Sequence, residues 1–502
     1  MTEQFDLLVV GGGINGVGIA RDAVGRGLSV CLCERDDLAA HTSSASTKLI
    51  HGGLRYLEQY EFALVGKALA EREVLLHAAP HIIKPLRFVL PHQSHLRPAW
   101  MIRLGLLLYD HLGRGRRTLP ASRRIALKRH VSGPPLRDEF HTGFIYSDAS
   151  VQDARLVILN AMDARERGAV VLPRTRCVSA LRGDDGWTAR LESAQGDAIT
   201  IKAKALINAT GPWAIEFLDE VAQVGHDHAL RLVKGSHIVV PRLFEHKYAY
   251  IFQQPDRRIV FAIPYEDDFT LVGTTDVEYH SDPAAPHIDG DEIRYLCEAV
   301  NRYFKRGIRP QDVVWYFSGV RPLLDDEAGN ASEVTRDYLL ELDGRAAPLL
   351  NVFGGKLTTY RKLAEEAMDQ LAPFFPGASG NWTAKGHPLP GGEQRDMDAW
   401  QCELEATYPW LPKSLASRLA RSYGTRSTRI LGEARSLQDL GKHFGADLYQ
   451  AEVDYLRKEE WATDSQDVLW RRSKLGLRFS AVDVARLTIY LAESPLERMP
   501  LV

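Results

Sequence analysis

The amino-acid sequence predicts a fold that mixes the α/β and α+β classes: a Rossmann-like domain, an inserted domain built on an antiparallel sheet, and a C-terminal all-helical domain. Three observations support this prediction. The chain begins with a strand, a glycine turn and a helix; short β-like runs crowd the stretch 216–330; and helical periodicity follows a glycine- and proline-rich stretch at 377–394. The 502 residues are too many for one ordinary core, so two or three domains are expected.

The first domain is predicted from the segment Asp6–Glu34. Its apolar run Leu7–Val10 suits a buried parallel strand, and a G-x-G-x-x-G turn follows. In such a turn the first glycine permits the bend, the second lets the backbone approach a pyrophosphate, and the third lets the helix pack against the strand. Glu34 ends the next strand, where an acid can bind ribose hydroxyls. The motif predicts a dinucleotide site, the alternative being a turn that only packs. Its candidate residues are Gly11, Gly12, Gly13, Ile14, Asn15, Gly16, Glu34 and Arg35.

A segment rich in small hydroxyl residues and glycine, TSSASTKLIHGG, spans Thr42–Gly53. It can lie along a pyrophosphate and a flavin ring because it donates hydroxyls and N–H groups without steric bulk. The alternative is an ordinary polar surface loop. The glycine motif does not distinguish NAD from FAD, but its position at the N-terminus is typical of flavoproteins. The candidate residues of this segment are Ser43, Ser44, Ser46, Lys48, His51, Gly52 and Gly53.

Two later segments are expected to return to the same sheet. Residues 205–213 join a strand-like run to a small-residue turn, and Leu349–Thr359 gives a strand, a second glycine turn and a helix start. They add Ala209, Gly211, Gly355, Lys356, Leu357 and Thr358 as cofactor candidates. The cofactor-binding domain is therefore predicted to be discontinuous. The expected divisions are 1–80, 146–215 and 331–376 for this domain, 81–145 and 216–330 for the inserted substrate- and membrane-facing domain, 377–394 for a linker, and 395–502 for the helical domain.

Seven motifs carry a family resemblance: GGGINGVGIARDAVGRGLSV, SSASTKLIHGGLRYLE, NATGPWA, KGSHIVVP, LVGTTD, SGVRPL and FGGKLTTYRKLAE. With these motifs, which together span most of residues 1–365, the chain resembles FAD-dependent glycerol-3-phosphate dehydrogenase, the membrane-associated respiratory enzyme. DVLWRRSKLGL at 467–477 resembles that family's C-terminal domain. The resemblance implies a two-dinucleotide-binding FAD domain with non-covalent FAD. It also implies oxidation of sn-glycerol 3-phosphate to dihydroxyacetone phosphate by hydride transfer to FAD, with electrons passed to ubiquinone.

The substrate that the resemblance implies needs a cationic clamp for its phosphate. Arginine suits this role because its planar fork matches phosphate oxygens. Arg55, Arg321 and Lys356 lie in apolar or glycine-rich surroundings. The resemblance places Arg55 and Arg321 at the substrate, with Tyr56 beside them. Lys356 is expected near the flavin or the substrate, where its charge stabilises the reduced flavin. Thr274 is expected either to contact substrate hydroxyls or only to form a turn.

A base must take the hydroxyl proton as hydride leaves the substrate. His237, at the start of a β-like run, is the preferred candidate because a histidine pKa lies near working pH. The alternative for His237 is a core or surface histidine. His51 is the second candidate, and it is expected to contact the flavin ring without a covalent bond. The predicted catalytic set is His237, Arg321, Arg55 and Lys356.

Composition and charge exclude several classes of protein. The net charge of −3 does not predict a polyanionic partner such as a nucleic acid. The five cysteines form no disulfide framework and no metal-ligand spacing, so no metal is expected. With no signal peptide, they favour a reducing cytosolic compartment. No apolar stretch reaches the ~18–20 residues that a membrane-spanning helix needs.

Residues 97–129 combine nine Lys or Arg with one acid, Asp110, and with interleaved apolar residues. Such a segment suits an interfacial position on anionic lipid, and the alternative is a core helix beside a basic loop. The resemblance favours the membrane, because electrons from reduced FAD must reach a lipid-soluble quinone. The sequence therefore predicts a peripheral protein on the cytoplasmic face of the inner membrane. It leaves open whether two copies form a homodimer.

Three rival functions stay open at this point. An oxidase of glycerol phosphate or of an amine would use oxygen as its acceptor, although the basic segment favours quinone and the arginine pair favours a phosphate substrate. An NAD-linked dehydrogenase would leave the second glycine turn without a role. A non-catalytic FAD redox sensor would bind flavin that the substrate does not reduce, and it would need no phosphate clamp.

Overall fold

The computed structural model describes residues 2–93, 98–113, 118–256, 258–324, 337–383 and 386–493. In chain order, the strands are β1 (Thr2–Val10), β2 (Val30–Cys33), β3 (Leu49–Ile50), β4 (Ile83–Pro91), β5 (Arg123–Ala126), β6 (Thr142–Val151), β7 (Val170–Leu172), β8 (Thr175–Arg182), β9 (Trp187–Ser193), β10 (Ala198–Asn208), β11 (Leu230–Pro241), β12 (Ala249–Gln253), β13 (Ile259–Tyr265), β14 (Phe269–Gly273), β15 (Val277–Glu278), β16 (Trp315–Leu324), β17 (Leu339–Asp343), β18 (Leu349–Phe353), β19 (His443–Gly445) and β20 (Leu448–Tyr449). The α-helices are α1 (Ile14–Gly25), α2 (Phe62–Ala78), α3 (Ala99–Leu112), α4 (Asp153–Glu166), α5 (Ala214–Glu216), α6 (Gly290–Asn301), α7 (Tyr360–Leu371), α8 (Met397–Thr407), α9 (Lys413–Tyr423), α10 (Ser427–Leu431), α11 (Gln450–Glu460) and α12 (Ala481–Glu493).

The first sheet has eight strands within the described residues, in the order β17-β18-β10-β1-β2-β7, with β9 paired to β10 and β8 to β9. Its centre, from β18 to β7, is parallel. Leu7, Leu8 and Val9 of β1 are fully buried, as expected for a parallel sheet covered on both faces. Helix α1 packs between α4 and α7. This arrangement confirms the predicted Rossmann-like domain.

The second sheet has ten strands within the described residues, in the order β15-β11-β14-β13-β12-β4-β6-β3, with β16 paired to β11 and β5 to β6. Most neighbours are antiparallel, as predicted, but β4 and β12 run parallel, which corrects the expectation of a purely antiparallel sheet. Only antiparallel neighbours can be joined by a short hairpin. No such hairpin links β4 to β12, since they are far apart in the chain, so their direction was not fixed by local sequence.

Two strands of the second sheet lie wholly or partly inside the stretches expected for the cofactor-binding domain. β3 lies within 1–80, and β6 crosses the expected division at residue 146. β6 pairs with the whole of β4, from Gly143 opposite Pro91 to Val151 opposite Ile83. The chain therefore leaves this sheet only at Val151, just before α4. The division into domains itself stays a prediction.

The C-terminal region is helical, from α8 to α12, and β19 and β20 add a two-stranded ribbon, which corrects the expectation of helices alone. The expected linker is packed against the first domain rather than extended. The Trp382 ring lies so close to Gly25 of α1 that a Cβ on this glycine would meet it at 2.2 Å. The Leu389 N–H donates to the Ala78 carbonyl at 2.8 Å. Two glycines of this segment, Gly391 and Gly392, also serve close packing, because a Cβ would lie 2.2 Å from the Tyr423 carbonyl oxygen in the first case and 2.6 Å from the Ala78 carbonyl oxygen in the second.

Candidate active site

A cavity lies at the carboxyl edge of the first sheet. The strand register brings Val10 level with Cys33 of β2 and with Asn208 of β10. The loops that follow these strands therefore meet around one cavity, together with the turn after β18. Ten of the predicted cofactor residues line it: Gly11, Gly13, Ile14, Asn15, Glu34, Arg35, Ser43, Ala209, Gly211 and Gly355.

The first glycine turn leaves no room for side chains. A Cβ on Gly16 would lie 1.9 Å from the Gly11 carbonyl oxygen, which is fixed backbone. Gly11 itself has φ of +114°, and its Cβ would lie 2.4 Å from the Ala209 carbonyl oxygen. The turn, the helix start and the loop after β10 therefore touch through backbone alone. This close approach provides the cradle that a pyrophosphate needs.

The Glu34 carboxylate is fixed on the cavity wall by two backbone donors. The Gly12 N–H donates to Oε2 at 2.6 Å, and the Asp36 N–H donates to Oε1 at 2.9 Å. Burial raises the pKa of Glu34, and the two N–H groups oppose that shift. Each carboxylate oxygen can accept a further hydrogen bond, so the group can bind ribose hydroxyls.

The second glycine turn is joined to the first by Asn15. Its Nδ2 donates to the Gly354 carbonyl at 3.1 Å, and its Oδ1 is buried without a hydrogen-bond partner among the described residues. Gly354 and Gly355 have φ of +72° and +101°, a region that favours glycine. Thr358, three residues after Gly355, accepts a hydrogen bond at Oγ1 from the His51 N–H at 3.3 Å. The hydroxyl-rich segment and the second turn therefore close on each other.

The hydroxyl-rich segment has structural partners of its own. Ser43 Oγ accepts from the Ile14 N–H at 3.0 Å and caps the first turn of α1. Ser44 Oγ donates to the His41 carbonyl at 3.2 Å. The N–H of Gly52 donates to the buried Tyr109 hydroxyl at 2.8 Å, and a Cβ on Gly53, whose φ is +75°, would lie 2.3 Å from the Tyr56 ring.

Lys48 and Ser46 differ most from their expected role at the cofactor. Both bind Asp153 at the start of α4: Lys48 Nζ lies 2.9 Å from both carboxylate oxygens, and Ser46 Oγ donates at 2.7 Å. Lys48 is buried and lines a different cavity. Its ammonium donates to the Asp153 carboxylate and to the Ser44 carbonyl, so its N–H groups are directed away from the dinucleotide cavity. Leu357 packs on the core of the first sheet.

At the other end of the site, Arg321 on β16 projects over β11. Its Nη1 forms an ion pair with Asp276, and its Nη2 donates to Thr274 Oγ1 at 3.1 Å. A Cβ on Gly235 would lie 2.2 Å from Nη2, so glycine at this position makes room for the guanidinium. Lys356 Nζ lies 4.1 Å from the centre of the Tyr56 ring, a cation–π contact. The side chain of Arg55 lies outside the described part of the structure.

His237 is buried, with 1% of its surface exposed. Its Nε2 lies 3.0 Å from Thr47 Oγ1, and its ring stacks on Phe317 with centroids 4.8 Å apart. Nδ1 has no hydrogen-bond partner among the described residues. Burial, and then the charges of Lys48 and Arg321, lower the pKa of His237 well below its usual value. The imidazole is therefore neutral at pH 7 with one acceptor nitrogen, but its pKa lies below the working pH rather than near it, which corrects the expectation from its residue type.

The two ends of the site are connected through the second sheet. The His51 ring stands edge-on to Phe261 at 6.3 Å, and Phe261 pairs with Gly273 on β14, next to Thr274. Pro322, which follows Arg321, lines the dinucleotide cavity. The structure therefore brings His51, Thr274, Arg321 and His237 to one face of the second sheet. Their individual roles stay predictions.

Sequence reasoning missed several residues of the cavity wall. Arg35 lies over the Trp213 ring, with Cζ 3.9 Å from its centre, and His41 contacts the same ring at 4.8 Å. Trp213 lies in one of the quoted motifs, so its position after a strand was a usable signal. No local sequence pattern indicated the residues of β8, because only the pairing of strands in the first sheet brings them to the cavity. The missed wall residues include His41, Thr42, Thr175, Arg176, Cys177, Trp213 and Phe217.

Comparison with known proteins gives a family for both parts of the chain. Residues 6–361 match the family model described as FAD dependent oxidoreductase, and residues 383–493 match the C-terminal domain of alpha-glycerophosphate oxidase. The chain is 58% identical over 494 residues to a glycerol-3-phosphate dehydrogenase of Pseudomonas aeruginosa, with 98% of this chain and 96% of that protein covered.

Two further relatives differ in their named substrate. The chain is 50% identical over 503 residues to the aerobic glycerol-3-phosphate dehydrogenase of Escherichia coli, with 99% of each protein covered. It is 52% identical over 487 residues to a D-erythritol 1-phosphate dehydrogenase of Brucella abortus, with 96% of this chain and 97% of that protein covered. A solved structure, the glycerol-3-phosphate dehydrogenase from Bacillus halodurans complexed with FAD, aligns with a TM-score of 0.76 and 26% identity over 99% of this chain and 97% of that one.

Proposed function

The chain belongs to the family of FAD-dependent oxidoreductases, and we propose that it oxidises sn-glycerol 3-phosphate to dihydroxyacetone phosphate by hydride transfer to FAD. The observation that carries this proposal is that the two glycine turns line one cavity, and that two cations, Arg321 and Lys356, each directly adjoin a residue of its wall, Pro322 and Gly355. Relatives at 58% and 50% identity that are named glycerol-3-phosphate dehydrogenases support the choice of substrate.

The residues around the cavity fit FAD. The side-chain-free approach of Gly11 to the loop after β10 leaves space for a pyrophosphate, and the fixed Glu34 carboxylate can bind the adenosine ribose. The turn at Gly355 and the hydroxyl of Thr358 would hold the flavin end. When bound, FAD accepts the hydride that leaves the substrate.

Arg321 and Arg55 are proposed to clamp the substrate phosphate. Asp276 and Thr274 hold the Arg321 fork in place, and its remaining N–H groups can donate to phosphate oxygens. Lys356, held against the Tyr56 ring, would hold a positive charge beside a bound flavin and so favour its anionic reduced form.

His237 is proposed to take the proton of the substrate hydroxyl. Its neutral imidazole has an acceptor nitrogen, and Nε2 meets the Thr47 hydroxyl on the hydroxyl-rich segment that borders the flavin end of the site. We therefore assign proton acceptance to Nε2, directly or through the Thr47 hydroxyl. His51 is the second candidate, because its backbone binds Thr358 of the second turn.

The test is an anaerobic absorbance spectrum of the FAD-loaded protein before and after addition of substrate. Bleaching of the flavin band by sn-glycerol 3-phosphate at micromolar to millimolar concentration is the expected result, with D-erythritol 1-phosphate as the competing substrate. If only erythritol phosphate bleaches the flavin, the substrate assignment is wrong and the fold assignment stands. If neither does, the protein is not a polyol-phosphate dehydrogenase. Reoxidation by a short-chain ubiquinone, compared with reoxidation by oxygen, distinguishes a dehydrogenase from an oxidase.

We also propose that the protein binds anionic membrane surfaces on the cytoplasmic face of the inner membrane and passes electrons to ubiquinone there. Large apolar side chains of α3 face solvent: Trp100, Met101, Leu104, Leu107 and Leu108. Helix α2 packs against α3, and its first residue, Phe62, is exposed together with Tyr60 in the turn before it. Five exposed cations follow the same region of the chain: Arg103, Arg123, Arg124, Lys128 and Arg129. Apolar side chains bordered by cations are typical of interfacial binding. Arg97, Arg114, Arg116 and Arg117 of this segment lie outside the described residues.

None of the described helices is long and apolar enough to cross a membrane. Co-sedimentation with vesicles of phosphatidylcholine and phosphatidylglycerol tests the proposed surface. Leu104→Glu and Leu107→Glu should each weaken binding ~10-fold or more, because burying one leucine contributes ~1.5–3 kcal/mol. Val482→Glu, at an exposed apolar residue of α12, is the matched control. Equal binding by all three variants would exclude α3 as the contact surface.

A further inference from the structure

A second cavity lies between the C-terminal helical region and the two sheets. Its wall is formed by the start of β4, the start of α4, the turn between β13 and β14, helix α9, and the π-helical turn Asp467–Arg472 with the residues that follow it. No function above uses this cavity. The loop Ser473–Leu475 closes one side of it.

The wall of this interdomain cavity is strongly cationic. It carries eight cationic side chains and two carboxylates, Asp153 and Glu266. Six of the cations have carboxylate partners, as in Lys48 with Asp153, Arg418 with Glu452 and Arg421 with Asp267. The other two, Lys84 and Lys474, form no ion pair with a carboxylate of the described residues, although Lys474 Nζ donates one hydrogen bond to the Trp470 carbonyl. The cationic residues are Lys48, Lys84, Arg155, Arg418, Arg421, Arg471, Arg472 and Lys474.

Three buried side chains of the wall have polar atoms without partners among the described residues. They are both ring nitrogens of His81, the Nε and Nη2 atoms of Arg155, and the Tyr265 hydroxyl. These side chains are 0%, 2% and 8% exposed, respectively. A buried polar group without a partner costs free energy, so such groups usually bind water or a ligand. Most of these atoms are donors, which matches an anion rather than a cation.

The charges around Lys474 favour the same kind of ligand. Burial, and then the neighbouring Lys48, lower the pKa of Lys474 to about 7. Burial, and then Arg421, lower the pKa of Lys84 to about 8. Water can accept hydrogen bonds from these groups, but it cannot offset the repulsion between like charges. An anion accepts the hydrogen bonds and also offsets this repulsion. The charged groups that face Lys474 are Lys48, Asp153, Glu266 and Arg471.

We propose that this cavity binds a phosphate-bearing anion, either inorganic phosphate or a small phosphate monoester. Lys84 and Lys474 neutralise its charge, and Arg155, Tyr265 and His81 donate hydrogen bonds to its oxygens. A tetrahedral oxyanion with several acceptor oxygens uses all of these donors at once, whereas a halide cannot. The ligand joins α4 of the cofactor-binding domain to the C-terminal helices and therefore stabilises their contact.

Calorimetric titration of inorganic phosphate into the FAD-loaded, full-length protein at constant ionic strength tests the proposal. The active site binds phosphate too, so Arg321→Ala is used to weaken that site. Phosphate should still bind to Arg321→Ala. Lys84→Gln and Lys474→Gln, each combined with Arg321→Ala, should lower this remaining affinity about tenfold or more, because each removes a charge-assisted contact. Lys458→Gln, at an exposed lysine of α11, is the matched control.

Proton uptake, measured in the Arg321→Ala background, provides a second readout. Anion binding favours the protonated form of Lys474, so titrations at pH 7.5 in buffers of different ionisation enthalpy should report uptake of protons. This uptake should be reduced in Lys474→Gln. Titration with 3-phosphoglycerate identifies the source: tighter binding than phosphate indicates a metabolite, and weaker binding indicates inorganic phosphate. Loss of all binding in Arg321→Ala, with normal binding in Lys84→Gln and Lys474→Gln, would overturn the proposal.

Discussion

Replacement of Arg321 by alanine is the sharpest test of the phosphate clamp. A guanidinium that donates two charge-assisted hydrogen bonds to a phosphate contributes ~1.5–3 kcal/mol for each, so their loss costs at least ~3 kcal/mol. The structure adds a second cost. Arg321 forms an ion pair with Asp276, and the carboxylate left behind would repel the incoming phosphate. The predicted effect on kcat/KM for sn-glycerol 3-phosphate is therefore a loss of ~10²-fold or more.

Steady-state kinetics with a quinone acceptor, together with measurement of FAD content, checks this prediction. FAD should stay bound, because Arg321 contacts the second sheet and does not line the described dinucleotide cavity. Asp276→Asn in the Arg321→Ala background should restore part of the loss by removing the uncompensated carboxylate. Arg231→Ala is the matched control, since Arg231 forms an ion pair with Glu278 on the same sheet. A kcat/KM within ~3-fold of the wild type, with FAD bound, would refute the clamp.

Three further predictions concern single groups. His237→Gln should slow anaerobic flavin reduction ~10²–10⁴-fold. Because burial holds the pKa of His237 low, the rate of the wild-type protein should show no inflection near pH 6.5. Such an inflection would contradict the buried environment assigned to His237. Glu34→Gln should lower FAD retention on gel filtration about tenfold, because the amide loses the acceptor oxygen that the Gly12 N–H uses. The control Glu220→Gln, at an exposed site, should leave FAD retention unchanged. Between pH 7 and 10 the wild-type protein should gain stability as pH rises, because the Lys474 pKa is low in the folded form and the unfolded form binds more protons. Lys474→Met should flatten this pH dependence of the free energy of unfolding, as measured by urea titrations. An unchanged slope would exclude Lys474 as the titrating group.

The local parts of the site could be predicted from the sequence because their geometry depends on neighbours in the chain. Gly11 and Gly16 are five residues apart, and their contact follows from the strand–turn–helix unit alone. Glu34 could be placed because it ends the strand that adjoins β1. The spacing of glycines and of apolar residues carries this information directly.

Long-range pairing explains where prediction from the sequence was incomplete. Lys48 was expected at the cofactor from the polarity of its segment, but its carboxylate partner, Asp153, lies 105 residues further along the chain. The glycine-rich stretch before the helical domain was expected to be a linker, yet Trp382 packs into a space that only Gly25 leaves open. In both cases the composition of the segment indicates where the chain can bend and which side chains are charged. It does not identify the distant residue that each segment contacts in the folded protein.

The Lys48–Asp153 pair also relates the two cavities to each other. Lys48 Nζ lies 4.6 Å from the centre of the Phe317 ring, and Phe317 stacks on His237. On its other side, the pair lines the interdomain cavity. Because the Lys48 charge helps to lower the pKa of His237, an anion beyond Lys48 offsets that charge and raises this pKa. Phosphate bound between the domains should therefore make His237 a stronger base, so the same ligand that stabilises the domain contact would also favour proton transfer.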